Sequence, residues 1–156
     1  MKLKGKVALI TGSSRGIGKD IAKGFAKEGA DIIINGRNLE RAKPVAKEIE
    51  GLGVKTMAIG ADVSSSQDVN RMVEEAVNAF GRIDILVNNA GGGCPILPFF
   101  ELPEDVWDLH VARNLKSVFL CSQAVGRGMA ARGGGTMINI GSVIADSIVM
   151  RGLSEP

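Results

Sequence analysis

Short apolar runs alternate along this chain with longer segments whose apolar residues recur at helical spacing. Val7–Ile10, Ile32–Ile34, Thr56–Ile59, Ile83–Val87 and Met137–Ile140 are compact apolar runs, which predicts strands buried on both faces. Ile17–Glu28, Leu39–Glu50, Ser66–Phe80 and a long stretch from Glu104 to about Ala131 predict amphipathic helices. Pro103 suits the entry to the last of these, and Gly133-Gly134-Gly135 ends it. Strand and helix in alternation imply right-handed crossovers and a parallel sheet with helices on both faces. The expected fold class is α/β, a doubly wound parallel sheet of strand order 3-2-1-4-5. Its ligand would lie across the switch point between strands 1 and 4. No repeat, low-complexity segment or linker interrupts the pattern, so residues 1–156 read as a single domain.

The turn after the first strand adds chemistry to this picture. Lys6-Val-Ala-Leu-Ile-Thr-Gly-Ser-Ser-Arg-Gly-Ile-Gly18 runs from an apolar strand through Gly12, Gly16 and Gly18 straight into a helix. Glycines let the backbone turn sharply and let a pyrophosphate approach, while the helix start offers free N–H groups and a positive dipole end. A triphosphate-binding P-loop is excluded. It would need glycine at Ser13 and a hydroxyl at Asp20. The commoner dinucleotide pattern G-x-G-x-x-G fails too, because Ile21 stands at its third glycine.

Composition narrows the classes of partner. The formal net charge of +2 comes from interspersed acids and bases, as in Arg41 to Glu50, and argues for neither nucleic acid nor membrane. No apolar run approaches a membrane span, and Val7–Ile10 is too short for a signal peptide. The 2 cysteines, Cys94 and Cys121, and the 1 histidine, His110, show no metal spacing, so no metal is expected. Free thiols in the cytoplasm are the expectation. Cys94 reads as a loop thiol and His110 as a structural residue of a helix. The 21 glycines suit many tight strand–helix turns.

Taken together, Thr11-Gly12-x-x-x-Gly16-Ile17-Gly18, Asp62-Val63, Asn88-Asn89-Ala90-Gly91, Asn114 and Ile140-Gly141-Ser142 resemble the short-chain dehydrogenase/reductase family, in its order and spacing. The resemblance spans nearly the whole chain and implies a Rossmann-like fold. It assigns Gly12, Ser13, Ser14, Arg15, Gly16, Ile17 and Gly18 to the cofactor phosphates and Asp62 and Val63 to the adenine. Asn89, Ala90 and Gly91 would pass beside a ribose. Bland roles stand beside these: Asp62 as a helix cap before Ser64–Ser66, and Asn88-Asn89 as support for the sheet.

The second strand sets the cofactor. A site that prefers NAD(H) ends that strand in Asp or Glu, which binds the ribose hydroxyls. Here Gly36 stands in that place and Arg37 follows, with Arg15 placed to flank the same phosphate, so NADP(H) is expected over NAD(H). The alternative for Arg37 is a solvated helix-start residue. In the family, carbonyl reduction uses an Asn, a Ser, a Tyr and a Lys. Asn114 and Ser142 match the first two. The Tyr-x-x-x-Lys segment would fall just after Pro156, and the chain contains no tyrosine. The expectation is therefore a domain truncated after its fifth strand, inactive as it stands. The parent protein would interconvert a small-molecule carbonyl and an alcohol as a dimer or tetramer. Its rivals are a non-catalytic dinucleotide-binding or interaction module and an incomplete fragment that binds nothing well. Met137–Ile140, with Ile148–Met150 beyond it, would be an exposed sheet edge unless something covers it.

Overall fold

A computed structural model of the chain describes residues 1–93, 95 and 97–142. In chain order the elements are β1 (Val7–Ile10), α1 (Gly16–Lys27), β2 (Asp31–Gly36), α2 (Leu39–Glu50), β3 (Thr56–Gly60), α3 (Ser66–Phe80), β4 (Ile85–Asn88), α4 (Glu104–Val111), α5 (Ser117–Ala131) and β5 (Thr136–Asn139). The five strands form one sheet of order β3-β2-β1-β4-β5. Every neighbouring pair is parallel.

Alternate residues of each strand feed two separate cores, because successive side chains point to opposite faces. Val7, Leu9, Ile33, Ile59 and Leu86 pack with Val69, Met72 and Ala76 of α3 and with Cys121, Val125 and Met129 of α5. Ala8, Ile10, Ile32, Ile34, Ile85 and Val87 pack with Ala22 and Ala26 of α1 and with Ala42, Val45, Ala46 and Ile49 of α2. The small residues on α1 let that helix lie close to the sheet. Glu48 ties α1 to α2 by accepting from Lys19 at 2.8 Å and Lys23 at 2.6 Å. Those two lysines lower the Glu48 carboxyl to about 2.

Two expectations are corrected. The stretch from Glu104 to Ala131 is not one continuous α-helix: a π turn, Ala112–Lys116, separates α4 from α5. Side chains bond the backbone there. Asn114 Nδ2 donates to the His110 carbonyl at 3.0 Å, and the Ser117 hydroxyl donates to the Arg113 carbonyl at 2.7 Å. Nor is the last strand buried on both faces. Thr136, Met137 and Asn139 of β5 are exposed, so β5 is an open edge among the described residues. Cys94 and Ile148–Met150 lie outside the described residues.

Candidate functional site

A parallel sheet gathers the loops at the carboxyl ends of its strands onto one rim, whatever their separation in sequence. A cleft of about 890 Å³ opens on that rim. It is lined from β1's turn (Gly12, Ser14 to Gly18), β2's end (Asn35 to Asn38), β3's end (Ala61 to Val63) and β4's end (Asn89 to Gly92).

The glycine turn is shaped by what a side chain would hit. Gly12 has φ +64, and a Cβ on it would lie 2.8 Å from the Ala90 Cα. A Cβ on Gly18 would collide with the Asn89 amide and come within 2.8 Å of the Gly12 carbonyl. Gly16, at φ +54, instead faces open space. Arg15 sits at the N-cap of α1 in extended backbone, and no side chain caps the helix. By contrast, α2 and α3 are capped by Asn38 and Ser65. The first N–H groups of α1 are thus left for an anion, beside a glycine with empty space before it. That combination fits a pyrophosphate.

Ser13 is placed otherwise than expected. It is fully buried and turned away from the cleft. Its hydroxyl donates to the Ile10 carbonyl at 2.7 Å and accepts from the Asn35 N–H at 3.1 Å. Two residues to which the sequence reading gave no site role complete the scaffold. Buried Asn35 accepts from the Gly12 N–H at 3.2 Å and donates to the Ile59 and Ala61 carbonyls. Buried Thr11 accepts at its hydroxyl from the Asn89 and Ala90 N–H groups, both at 3.0 Å. Asn89 in turn donates to the carbonyls of Thr11 and Gly12. The loops after β1, β2, β3 and β4 are therefore one cross-bonded unit. Thr11 belonged to the recognised motif; nothing in the pattern distinguished Asn35 from a strand-end residue.

Asp62 follows β3 on the cleft wall, beside buried Val63. Its Oδ1 accepts from the Ser64 amide at 2.9 Å and the Ser64 hydroxyl at 2.6 Å. Ser65, not Asp62, caps α3. Partial burial raises the Asp62 carboxyl, but the Ser64 hydrogen bonds and the charges of Arg37 and Arg113 outweigh it and hold the group below its usual range. Arg15, Arg37, Arg41 and Arg113 all line the cleft, against Glu40 and Asp62. Gly36 stays bare under Ser14, whose Oγ would lie 2.8 Å from a Cβ there.

Asn114 holds the β4 loop to the π turn. It accepts from the Gly92 N–H at 3.0 Å and donates to the Gly92 carbonyl at 3.2 Å. Gly91 must be bare here, since a Cβ would sit 2.8 Å from Asn114 Oδ1. Asn88 lies behind, donating to Ser122 at 3.0 Å and to Asn139 of β5 at 2.9 Å, which is support for the sheet. Ser142 is exposed just beyond β5 on the same rim. His110 is half-buried in α4, away from the cleft lining. No metal-holding group of side chains and no helix long and apolar enough to cross a membrane occurs among the described residues.

The family model for short chain dehydrogenases matches residues 6–152. The chain belongs to the short-chain dehydrogenase/reductase family. It is 40% identical over 145 residues to the (2S)-[(R)-hydroxy(phenyl)methyl]succinyl-CoA dehydrogenase subunit BbsD of Thauera aromatica, covering 91% of this chain and 57% of that protein. A solved structure of a 7α-hydroxysteroid dehydrogenase complexed with NADH and 7-oxo glycochenodeoxycholic acid superposes with TM-score 0.89 at 39% identity, covering 94% of this chain and 56% of the other. A metagenomic short-chain oxidoreductase in complex with NADP superposes with TM-score 0.86 at 36% identity, covering 91% and 64%. The chain thus spans somewhat over half the length of the relatives it matches. Similar proteins carry either form of the cofactor, so the choice between them rests on this chain's own residues.

Proposed function

We propose that this protein is an NADP(H)-dependent oxidoreductase that interconverts a carbonyl and an alcohol on a small molecule, in the cytoplasm. The observation that carries the reading is the end of β2. Gly36 puts no carboxylate there to repel a 2′-phosphate, and Arg37 follows with Arg15 and Arg41 in the same cleft. The uncapped start of α1 and the bare Gly16 would receive the pyrophosphate. Asn89, Ala90 and Gly91 would run beside the ribose, held by Thr11 and Asn114. The bound nicotinamide would supply or accept a hydride.

Ser142 would donate a hydrogen bond to the substrate oxygen. Asn114 would fix the loop beside it and support a water relay. Neither is an acid tuned to working pH. The general acid is proposed to be a Tyr, with a Lys four residues on, outside residues 1–156, which contain no tyrosine. Trp107, Leu115 and Phe119, exposed on α4, the π turn and α5, support a dimer or tetramer.

A second reading, a non-catalytic dinucleotide-binding or interaction module, would use the same cleft and differ only in lacking turnover. Turnover separates the two. The full protein is expected to oxidise NADPH in the presence of a ketone. Ser142→Ala should lower its kcat by a large factor, on the order of a hundredfold for a lost oxyanion donor, with little change in NADPH affinity. NADPH binding without turnover against a broad ketone panel would favour the module.

A further inference from the structure

Arg113 is a cation on the cleft wall to which the reading above gives no task. It is half-buried and lines the same space as Asp62 and Val63. Its side chain makes no hydrogen bond or ion pair among the described residues. Its backbone is firmly set, because the Ser117 hydroxyl holds its carbonyl and the next residue, Asn114, grips Gly92. A π turn carries one residue more than an α turn, which re-aims the side chains on it relative to those on the following helix.

Two guanidiniums therefore act on Asp62 from opposite sides of β1: Arg37 from the end of β2, and Arg113 from the turn joined to the β4 loop. Asp62 Oδ1 is taken up by Ser64, while Oδ2 is left for a donor from the cleft. A second phosphate between Arg113 and Asp62 would be repelled by the carboxylate. A neutral flat ring with an amino group on its edge suits both partners. The amino group donates to Asp62, and the ring face receives a planar guanidinium by stacking and cation–π attraction.

We propose that Arg113 lays its guanidinium on the face of the adenine ring whose amino edge is accepted by Asp62. The proposal rests on the dinucleotide reading and makes Arg113 a determinant of base recognition, distinct from the 2′-phosphate role given to Arg37. Arg113 would order the base without touching the reacting end of the cofactor.

The test is fluorescence titration of the full protein and its Arg113→Ala and Arg113→Lys variants. The probes are NADPH and its analogue with hypoxanthine in place of adenine. Arg113→Ala should weaken NADPH about tenfold. Arg113→Lys keeps the charge but loses the plane, and should recover only a small part of that. The hypoxanthine analogue should bind the parent protein less tightly than NADPH and should still lose affinity on Arg113→Ala, because the face contact does not depend on the amino group. The melting temperature without ligand should hold in both variants. Full recovery by Arg113→Lys would reduce the residue to a point charge and overturn the proposal, as would unchanged affinity in Arg113→Ala. If the parent protein binds neither NADPH nor NADH, the dinucleotide reading fails and takes this proposal with it.

Discussion

At the scale of single residues, the cleft is held in shape by buried polar side chains as much as by its glycines. Asn35 is the central one, with its oxygen on the Gly12 N–H and its nitrogen on the Ile59 and Ala61 carbonyls. Truncation leaves these buried groups unpaired. Asn35→Ala should therefore cost about 2–3 kcal/mol in urea unfolding. It should also weaken NADPH, since the β1 turn and the Asp62 loop would lose their common tie. Unchanged stability would show that Asn35 is a bystander. Cys121 makes the opposite case, a reactive residue type made inert by its place. Burial between α5 and the sheet pushes its thiol up to about 12, so it stays protonated at neutral pH. Peptide mapping should find Cys121 alkylated by iodoacetamide only after denaturation. Labelling in the native protein would contradict its packing. Residue roles of this kind were only partly legible in the sequence. Glycine has few reasons to recur in a turn, so Gly12, Gly16 and Gly18 pointed to the rim on which the cleft opens. Ser13 in the same motif, however, turns inward, and neither Asn35 nor Arg113 carried a local pattern. Their roles depend on which loops the sheet brings side by side.

At the scale of elements, β1, its turn and α1 act as one device. Gly18 is where the helix start meets both the β1 turn and the β4 loop, so a side chain there must displace Asn89 or the Gly12 carbonyl. Gly18→Val should abolish detectable NADPH binding while most of the helical circular dichroism persists. Native affinity in that variant would move the phosphate site elsewhere. The short strands and the first three helices were legible from period alone, because each has one kind of neighbour and a clear punctuation at its ends. The interruption between α4 and α5 was not. A single π turn hardly disturbs apolar spacing, and it is stabilised by Asn114 and Ser117 side chains whose partners are backbone groups. The exposure of β5 was legible only conditionally, since an apolar run does not state what lies across it.

At the scale of the whole molecule, the regular alternation of strand and helix was enough for a doubly wound parallel sheet, because right-handed crossovers leave few alternatives, while the order 3-2-1-4-5 needed the glycine turn after β1 and the family resemblance as well. That order is what gathers Gly16, Arg37, Asp62, Asn89 and Arg113 around one cleft from five separate stretches of chain. The central claim is that this cleft takes a dinucleotide with its 2′-phosphate against Arg37. Calorimetric titration of the full protein with NADPH and NADH, repeated on Arg37→Ala, tests it most directly. One lost charge-assisted phosphate contact corresponds to roughly ten- to hundredfold in affinity. The account predicts that the parent protein prefers NADPH and that Arg37→Ala forfeits that factor for NADPH while leaving NADH nearly unchanged. Equal losses for both cofactors, or tighter binding of NADH by the parent protein, would contradict it.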